Sequence, residues 1–318
     1  MSITKEIDEI FEKNKNRIER DSEEWLKVLE NGGKAYNLAK KAFHQWYPLR
    51  TYVSVTKAKS SIPEFSIRFL GQEVACLVVE GEEVFLVLKN HKRKNNKFNC
   101  PLEDGKYAWR GEKANEFRKH FKKIMASEEK PEVRSPEHRV ESKFLTEICE
   151  GSGKFGIKDL KIRPILIADK FPLQVPVPIS ANTGKPKFSK GNIDILSRHK
   201  GRDNKDRLCL WELKREGEYK HAISQVYIYA YTLLKILRHT KNGIGWYKAF
   251  GFNRNIPKSL EIEAVVAISQ EQEKKFNKEK LELEQTECFK IGKDSIRLYV
   301  AFYEEEPNGI KFKNDPFC

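Results

Sequence analysis

No C-x-x-C pair occurs anywhere in the chain. Its six cysteines, Cys76, Cys100, Cys149, Cys209, Cys288 and Cys318, are scattered through 318 residues. Zinc sites and disulfide frameworks announce themselves by close, repeated cysteine spacing, so neither is expected and the thiols are read as reduced. Long apolar runs are missing too. No stretch reaches the 18 or so residues that a membrane-crossing helix needs. The opening Met-Ser-Ile-Thr-Lys-Glu lacks the basic-then-apolar layout of a signal peptide. A cytoplasmic protein with no membrane partner is expected. Internal repeats and long low-complexity tracts are likewise absent.

What is present is ordinary globular material, 39% hydrophobic and 33% charged, in a chain long enough for two domains with their own cores. The net charge of +14 is unevenly distributed. Residues 151 to 260 contain 22 Lys and Arg against 8 Asp and Glu, an excess equal to that of the whole chain. A generally lysine-rich composition does not predict such localisation, whereas binding to a polyanion does. Lysine and arginine that displace counterions from phosphates supply most non-specific nucleic-acid affinity, with a steep salt dependence. The candidate contacts are Lys185, Lys187 and Lys190, then Arg198, Lys200 and Arg202, then Lys241, Lys248 and Arg254.

Ser-Glu-Glu-Lys-Pro-Glu, within residues 126 to 134, separates two patterned regions. Residues 1–130 read as a small α+β domain, for which substrate recognition is the role considered. Ile3 to Glu30 places Ile7, Ile10, Phe11, Ile18, Trp25 and Leu29 on an amphipathic helix that Asn31-Gly32-Gly33 stops. Phe65 to Leu70, Glu73 to Val79 and Val84 to Leu88 form a meander. Trp46 and Trp109 are expected in the core, and His91-Lys92-Arg93-Lys94 is either a phosphate contact or a solvated loop.

Residues 131–318 carry the chemistry. Asn192 to Ser197 and Arg207 to Lys214 alternate as strands do, and the polar segment between them, with Gly201, Asp203 and Asn204, has turn composition. A hairpin symmetric about Asp203 makes Asp194 and Glu212 directly opposed residues, with Cβ atoms about 5 Å apart. Period-two alternation puts Lys214 on the face of Glu212. Opposed carboxylates repel unless neutralised, and a hard divalent cation such as Mg²⁺ does this with oxygen ligands. The alternative is a plain hairpin whose wet side carries Asp, Glu and Lys.

Two helices flank this hairpin. Tyr219 to His239 has Val226, Leu233, Leu234 and Leu237 at helical intervals, and His221, Gln225 and Tyr229 four apart on one face. An amide and a phenol there either reach toward the strands or serve the core. Ser135, Pro136 and Glu137 start a helix running to Glu150. Its buried stripe is Val140, Phe144, Leu145 and Ile148, with Glu141 on the edge, as an inward carboxylate or as the partner of an Arg or Lys. Glu147, about 240° around the helix from Glu141, reads as solvated. Further strands are expected at Ile262 to Ile268 and Ile296 to Tyr303. Proline-rich Phe171 to Ile179 is excluded from the sheet centre, and Glu271 to Glu287 reads as a charge-laced helix.

In this order, Glu141, Gly191-Asn192-Ile193-Asp194, Glu212-Leu213-Lys214, then Gln225 with Tyr229, the chain resembles the PD-(D/E)xK nuclease superfamily, most of all its RecB-like branch, over about residues 131 to 302. The resemblance implies a restriction-endonuclease-like α/β/α core with a mixed central sheet. It implies Asp194, Glu212 and Glu141 as ligands of Mg²⁺, with Mn²⁺ able to substitute, Lys214 as the catalytic lysine, and Gln225 and Tyr229 as supporting and substrate-contacting residues. Ile193 stands where the superfamily's name has Pro, and the linker from Asp194 to Glu212 exceeds the shortest versions. Some RecB-like nucleases bind an iron–sulfur cluster through four cysteines, three clustered near the C-terminal end. Only Cys288 and Cys318 lie there, so none is expected. The implied activity is metal-dependent hydrolysis of DNA in defence, restriction or repair. The alternatives are an RNA nuclease and a catalytically inactive nucleic-acid-binding module of the same fold.

Overall fold

The computed structural model describes residues 3–43, 48–56, 62–89, 100–127, 136–150, 160–215, 219–279, 286–306, 309–313 and 315–317. They fall into two compact units, one of Met1–Leu26, Lys143–Ile165 and Gln174–Cys318, the other of Lys27–Ser142 and Leu166–Leu173. A single cut at residue 130 therefore does not reproduce the division. Specific bonds explain why the opening helix, α1 (Ile3–Glu30), begins in the C-terminal unit. The Tyr231 hydroxyl donates to Asp8 at 2.8 Å and the Trp246 indole donates to Ser22 Oγ at 2.8 Å.

The smaller unit holds helix α2 (Gly33–Ala42) and an antiparallel sheet in chain order: β1 (Leu49–Ser54), β2 (Glu64–Phe69), β3 (Gln72–Glu80), β4 (Glu83–Leu88) and β5 (Gly105–Ala108). The expected meander is β2 to β4, and the outer strands β1 and β5 extend it. Gly71 and Gly81, with φ of +82° and +60°, make its turns, a conformation that costs glycine nothing. Helix α3 (Glu112–Ala126) buries Phe117 and Phe121 with the sheet's Phe69. Trp109 is core, as expected, donating to the Ala42 carbonyl at 2.7 Å. Trp46 and residues 91–94 lie outside the described residues. Helix α4 (Pro136–Glu150) starts in this unit, and its Ser135 cap also falls outside the description.

After α4 come β6 (Ile162–Pro164), β7 (Leu166–Ile167) and β8 (Phe171–Pro172), the last two a short hairpin of the smaller unit whose Phe171 meets Phe65 at 5.1 Å. The rest belongs to the larger unit: β9 (Pro176–Ser180), β10 (Lys187–Asn192), β11 (Ile195–Lys200), β12 (Asp206–Lys214), α5 (Tyr219–His239), α6 (Gly243–Ala249), β13 (Glu261–Ser269), α7 (Glu273–Glu279), β14 (Thr286–Ile291), β15 (Asp294–Glu306) and β16 (Gly309–Phe312). The protein is a mixed α/β structure. Its main sheet runs β14-β15-β13-β12-β11-β6, with β16 on β15. β12, β13 and β15 are parallel and the remaining pairings antiparallel.

Strands buried on both faces read as continuous apolar runs rather than alternating ones. Leu208 to Leu213 of β12 and Ile262 to Ser269 of β13 are buried at every position. Trp211 turns to one face, where it meets Phe144 of α4 at 4.8 Å and Phe312 of β16 at 5.6 Å. Its neighbour Glu212 turns to the other, as alternation requires. Among the described residues, no helix is long and apolar enough to cross a membrane, and Cys76, Cys100, Cys209 and Cys288 are free thiols.

Three expectations need correction. Glu271 to Glu287 is not one helix: a 3-10 turn and the seven-residue α7 precede β14, whose Thr286 to Ile291 pairs with β15. Cross-strand pairing prevails over the charge pattern there. Asn192 to Ser197 is not one strand, because the chain leaves β10 at Asn192 and enters β11 at Ile195. Glu147 is buried, not solvated, at 7% exposure.

Candidate active site

The β11–β12 hairpin has the symmetric register expected of it: Lys200 faces Asp206, Ser197 faces Cys209 and Ile195 faces Trp211, all centred on Asp203. The next pair would be Asp194 with Glu212. Asp194 occupies the bend between β10 and β11 rather than a strand position. It is nevertheless held at β12, because its Oδ2 accepts the Leu213 amide at 3.3 Å. The preceding Ile193 amide donates to the Val175 carbonyl at 3.0 Å, which fixes the bend from the other side.

Glu212 lies inside the sheet and its side chain is 2% exposed. The ammonium of Lys214, two residues along on the same face, stands 3.0 Å from Glu212 Oε1. The Tyr303 hydroxyl donates to the Lys214 carbonyl at 3.3 Å, tying β15 to the end of β12. Asp194, Glu212 and Lys214 thus gather at the carboxyl ends of the parallel strands, where open α/β sheets bind their ligands. A solvated hairpin face is excluded by the burial of Glu212. Stability gives no reason to keep an ion pair here, since apolar residues of similar volume usually serve a core as well or better.

Tyr229 is core, at 2% exposure, and also polar in its role. Its hydroxyl donates to Asn182 Oδ1 at 3.3 Å and accepts the Ala181 amide at 3.5 Å. Burial pushes the phenol up to about 12, helped by the negative charges of Glu212 and Asp194, so Tyr229 stays neutral beside the carboxylates. These bonds tie Tyr229 to the turn of the β9–β10 hairpin, and Gln225 lies one helical turn before it on α5. Asn182 was not singled out from the sequence; its only sign was the Asn-Thr-Gly turn composition at 182–184.

Glycine at position 191 has a steric reason. A Cβ there would come within 2.8 Å of the Ile179 carbonyl oxygen and 3.1 Å of Tyr229 Cε1. Gly184, at φ +70°, would likewise meet His221 at 2.9 Å. The β9–β10 hairpin is therefore pressed onto α5 at two glycines.

The remaining site residues divide. Glu141 belongs to the smaller unit, where its Oε1 lies 3.5 Å from Arg68 Nη1 with both groups largely buried, the ion-pair alternative weighed for it. Lys185, Lys187 and Lys190 are exposed on the β9–β10 hairpin. Arg198 donates to the Gly251 carbonyl at 2.8 Å, a structural use. Lys200 and Arg202 sit at the turn of the β11–β12 hairpin, about 20 Å along the strand from Asp194 at roughly 3.3 Å per residue. Lys241, Lys248 and Arg254 are exposed beyond α5.

Among the described residues, no group of three or more His, Cys, Asp or Glu side chains is arranged to hold a metal ion. The pair Asp194 and Glu212 still fits magnesium, which takes one or two carboxylates and keeps several waters. It does not fit zinc, which prefers nitrogen and sulfur ligands. A second polar cluster, unforeseen from sequence, lies toward the amino ends of the parallel strands. There His199 Nδ1 and Glu263 Oε2 are 2.6 Å apart, and Phe317 stacks on the imidazole at 3.7 Å. Its groups satisfy one another, which marks it as structural. Compared with protein-family models, curated proteins and solved structures, the chain matches none.

Proposed function

We propose that this chain is a magnesium-dependent nuclease of the PD-(D/E)xK type, restriction-endonuclease-like in fold and RecB-like in branch, that hydrolyses phosphodiester bonds in DNA. The observation that carries the reading is the buried Glu212 paired with Lys214 at 3.0 Å while Asp194 is bonded to the intervening Leu213 amide. Two carboxylates and an ammonium on one strand end are the minimum set for this chemistry. Asp194 and Glu212 would hold magnesium, which would supply a Lewis acid to acidify water and offset charge on phosphate. Lys214 places a positive charge where the attacked phosphate gains negative charge and where the attacking water must be oriented. Water forms the new bond to phosphorus as the bond to the leaving sugar oxygen breaks. The bonds of Tyr229 to Asn182 and to the Ala181 amide keep the neighbouring hairpin fixed, with Gln225 in support one turn earlier on α5, so the two carboxylates need not reorganise. The excess of 14 positive charges over residues 151 to 260 favours a polyanionic substrate.

The test is a substrate panel. Purified protein is incubated with circular and linear, single- and double-stranded DNA and with RNA, in Mg²⁺, Mn²⁺ or chelator. Metal-dependent cleavage of DNA is expected. Cutting of RNA alone would reassign the substrate, and binding without cutting of any substrate would favour the inactive module.

A further inference from the structure

The β9–β10 hairpin is a braced arm. Gly184 abuts His221 and Gly191 abuts Tyr229, each on α5. At the β10 edge the guanidinium of Arg17 from α1 lies 5.1 Å from the centre of the Phe188 ring. The turn at its tip is closed by the Gly184 amide on the Ala181 carbonyl at 2.8 Å. On this turn Asn182 and Thr183 are exposed, followed by exposed Lys185 and Lys187.

The hydrogen-bond pattern fixes which way Asn182 faces. The Tyr229 hydroxyl has one proton. It accepts from the Ala181 amide at 3.5 Å and gives that proton to Asn182 Oδ1, 3.3 Å away. With Oδ1 turned inward, the Nδ2 group with its two N–H donors turns outward. An outward carboxamide in a fixed orientation, backed by lysines, suits one acceptor class: the non-bridging oxygens of a phosphodiester, which side-chain amides and lysines contact together at nucleic-acid interfaces.

We infer that Asn182 is a substrate-binding residue whose Nδ2 donates to a backbone phosphate of the nucleic acid, held in register by Tyr229. The inference rests on the nuclease reading for its choice of ligand and adds a contact that the Asp194, Glu212 and Lys214 set does not contain. It also explains why a tyrosine inside the core ends in a polar group.

Binding without catalysis tests it. Fluorescein-labelled single- and double-stranded 20-mer DNA is titrated with protein in chelator. Asn182→Ala is expected to weaken binding about fivefold, the effect of losing one exposed hydrogen bond to a charged acceptor. Asn182→Asp keeps the oxygen that accepts from Tyr229 but removes both donors. It is expected to lose about tenfold or more, with a deficit that persists as salt is raised, whereas simple repulsion from the added charge would be screened away. Thr183→Ala should bind as wild type, and thermal melting should show Asn182→Asp to be folded. Wild-type affinity in Asn182→Asp would overturn the inference and leave the nuclease reading standing. No DNA binding by the wild-type protein would overturn both.

Discussion

A methyl group on the Cα of Gly191 would sit 3.1 Å from Tyr229 Cε1, closer than side chains normally pack. The same methyl would lie 2.8 Å from the Ile179 carbonyl oxygen, which is backbone and cannot swing aside. Gly191→Ala is therefore expected to destabilise the larger unit by about 1–3 kcal/mol, the usual range for overpacking. Urea denaturation measures it. Trimming Tyr229 in the same chain should not restore the loss, because the tighter clash is with Ile179.

The Glu212–Lys214 pair separates stability from activity. Glu212→Met alone removes the carboxylate 3.0 Å from a largely buried ammonium and is expected to cost about 2 kcal/mol, somewhat less than for a fully buried pair. Adding Lys214→Met should recover most of that loss while cleavage stays absent. A double variant as unstable as the single one would show that the pair serves the fold.

Salt titration of DNA binding distinguishes two groups of basic residues. Alanine at Lys185, Lys187 or Lys190, on the braced arm, should each weaken binding and lower the slope of log affinity against log salt by about one for every phosphate no longer neutralised. Alanine at Lys200 or Arg202, at the far turn, should change neither. Equal effects in both groups would place the nucleic acid along the whole hairpin.

The far turn carries a pH signature. Two hydrogen bonds from Arg207, at 2.7 and 2.8 Å, hold the Asp203 carboxyl well below its usual range, since protonation must give them up. A depressed carboxyl contributes stability above the ordinary value of 3.8, and that contribution is lost as pH falls through the folded value. Asp203→Asn should therefore be less stable than wild type at neutral pH. The difference should shrink below about pH 4 and vanish in strong acid, as read by denaturation at stepped pH. The group is exposed, so screening by salt should reduce the difference.

Local chemistry made much of this legible in sequence. Turn residues around Asp203 and period-two alternation gave the hairpin and its register, and with them the approach of Asp194 to Glu212. The long apolar periodicity of Tyr219 to His239 gave α5. What escaped depends on distant partners. The reason for Gly191 is a carbonyl across its own hairpin together with a ring 38 positions later, and the orientation of Asn182 needs a hydroxyl on a helix that the hairpin must first fold against. Glu147 was misread because one amphipathic stripe was assumed for a helix buried on more than that face. Glu271 to Glu287 was misread because β14 takes its conformation from pairing with β15. The split into units was hidden because α1 bonds to α5 and α6, more than 200 residues away in sequence.

The most direct test compares single-turnover cleavage of DNA in Mg²⁺ by wild-type protein, Asp194→Ala and Glu212→Gln, with circular dichroism and chelator-phase binding confirming that each variant folds and holds DNA. Both variants are expected to lose at least about a hundredfold in rate while binding is kept. Cleavage at the wild-type rate by either folded variant would contradict a metal site built on these two carboxylates.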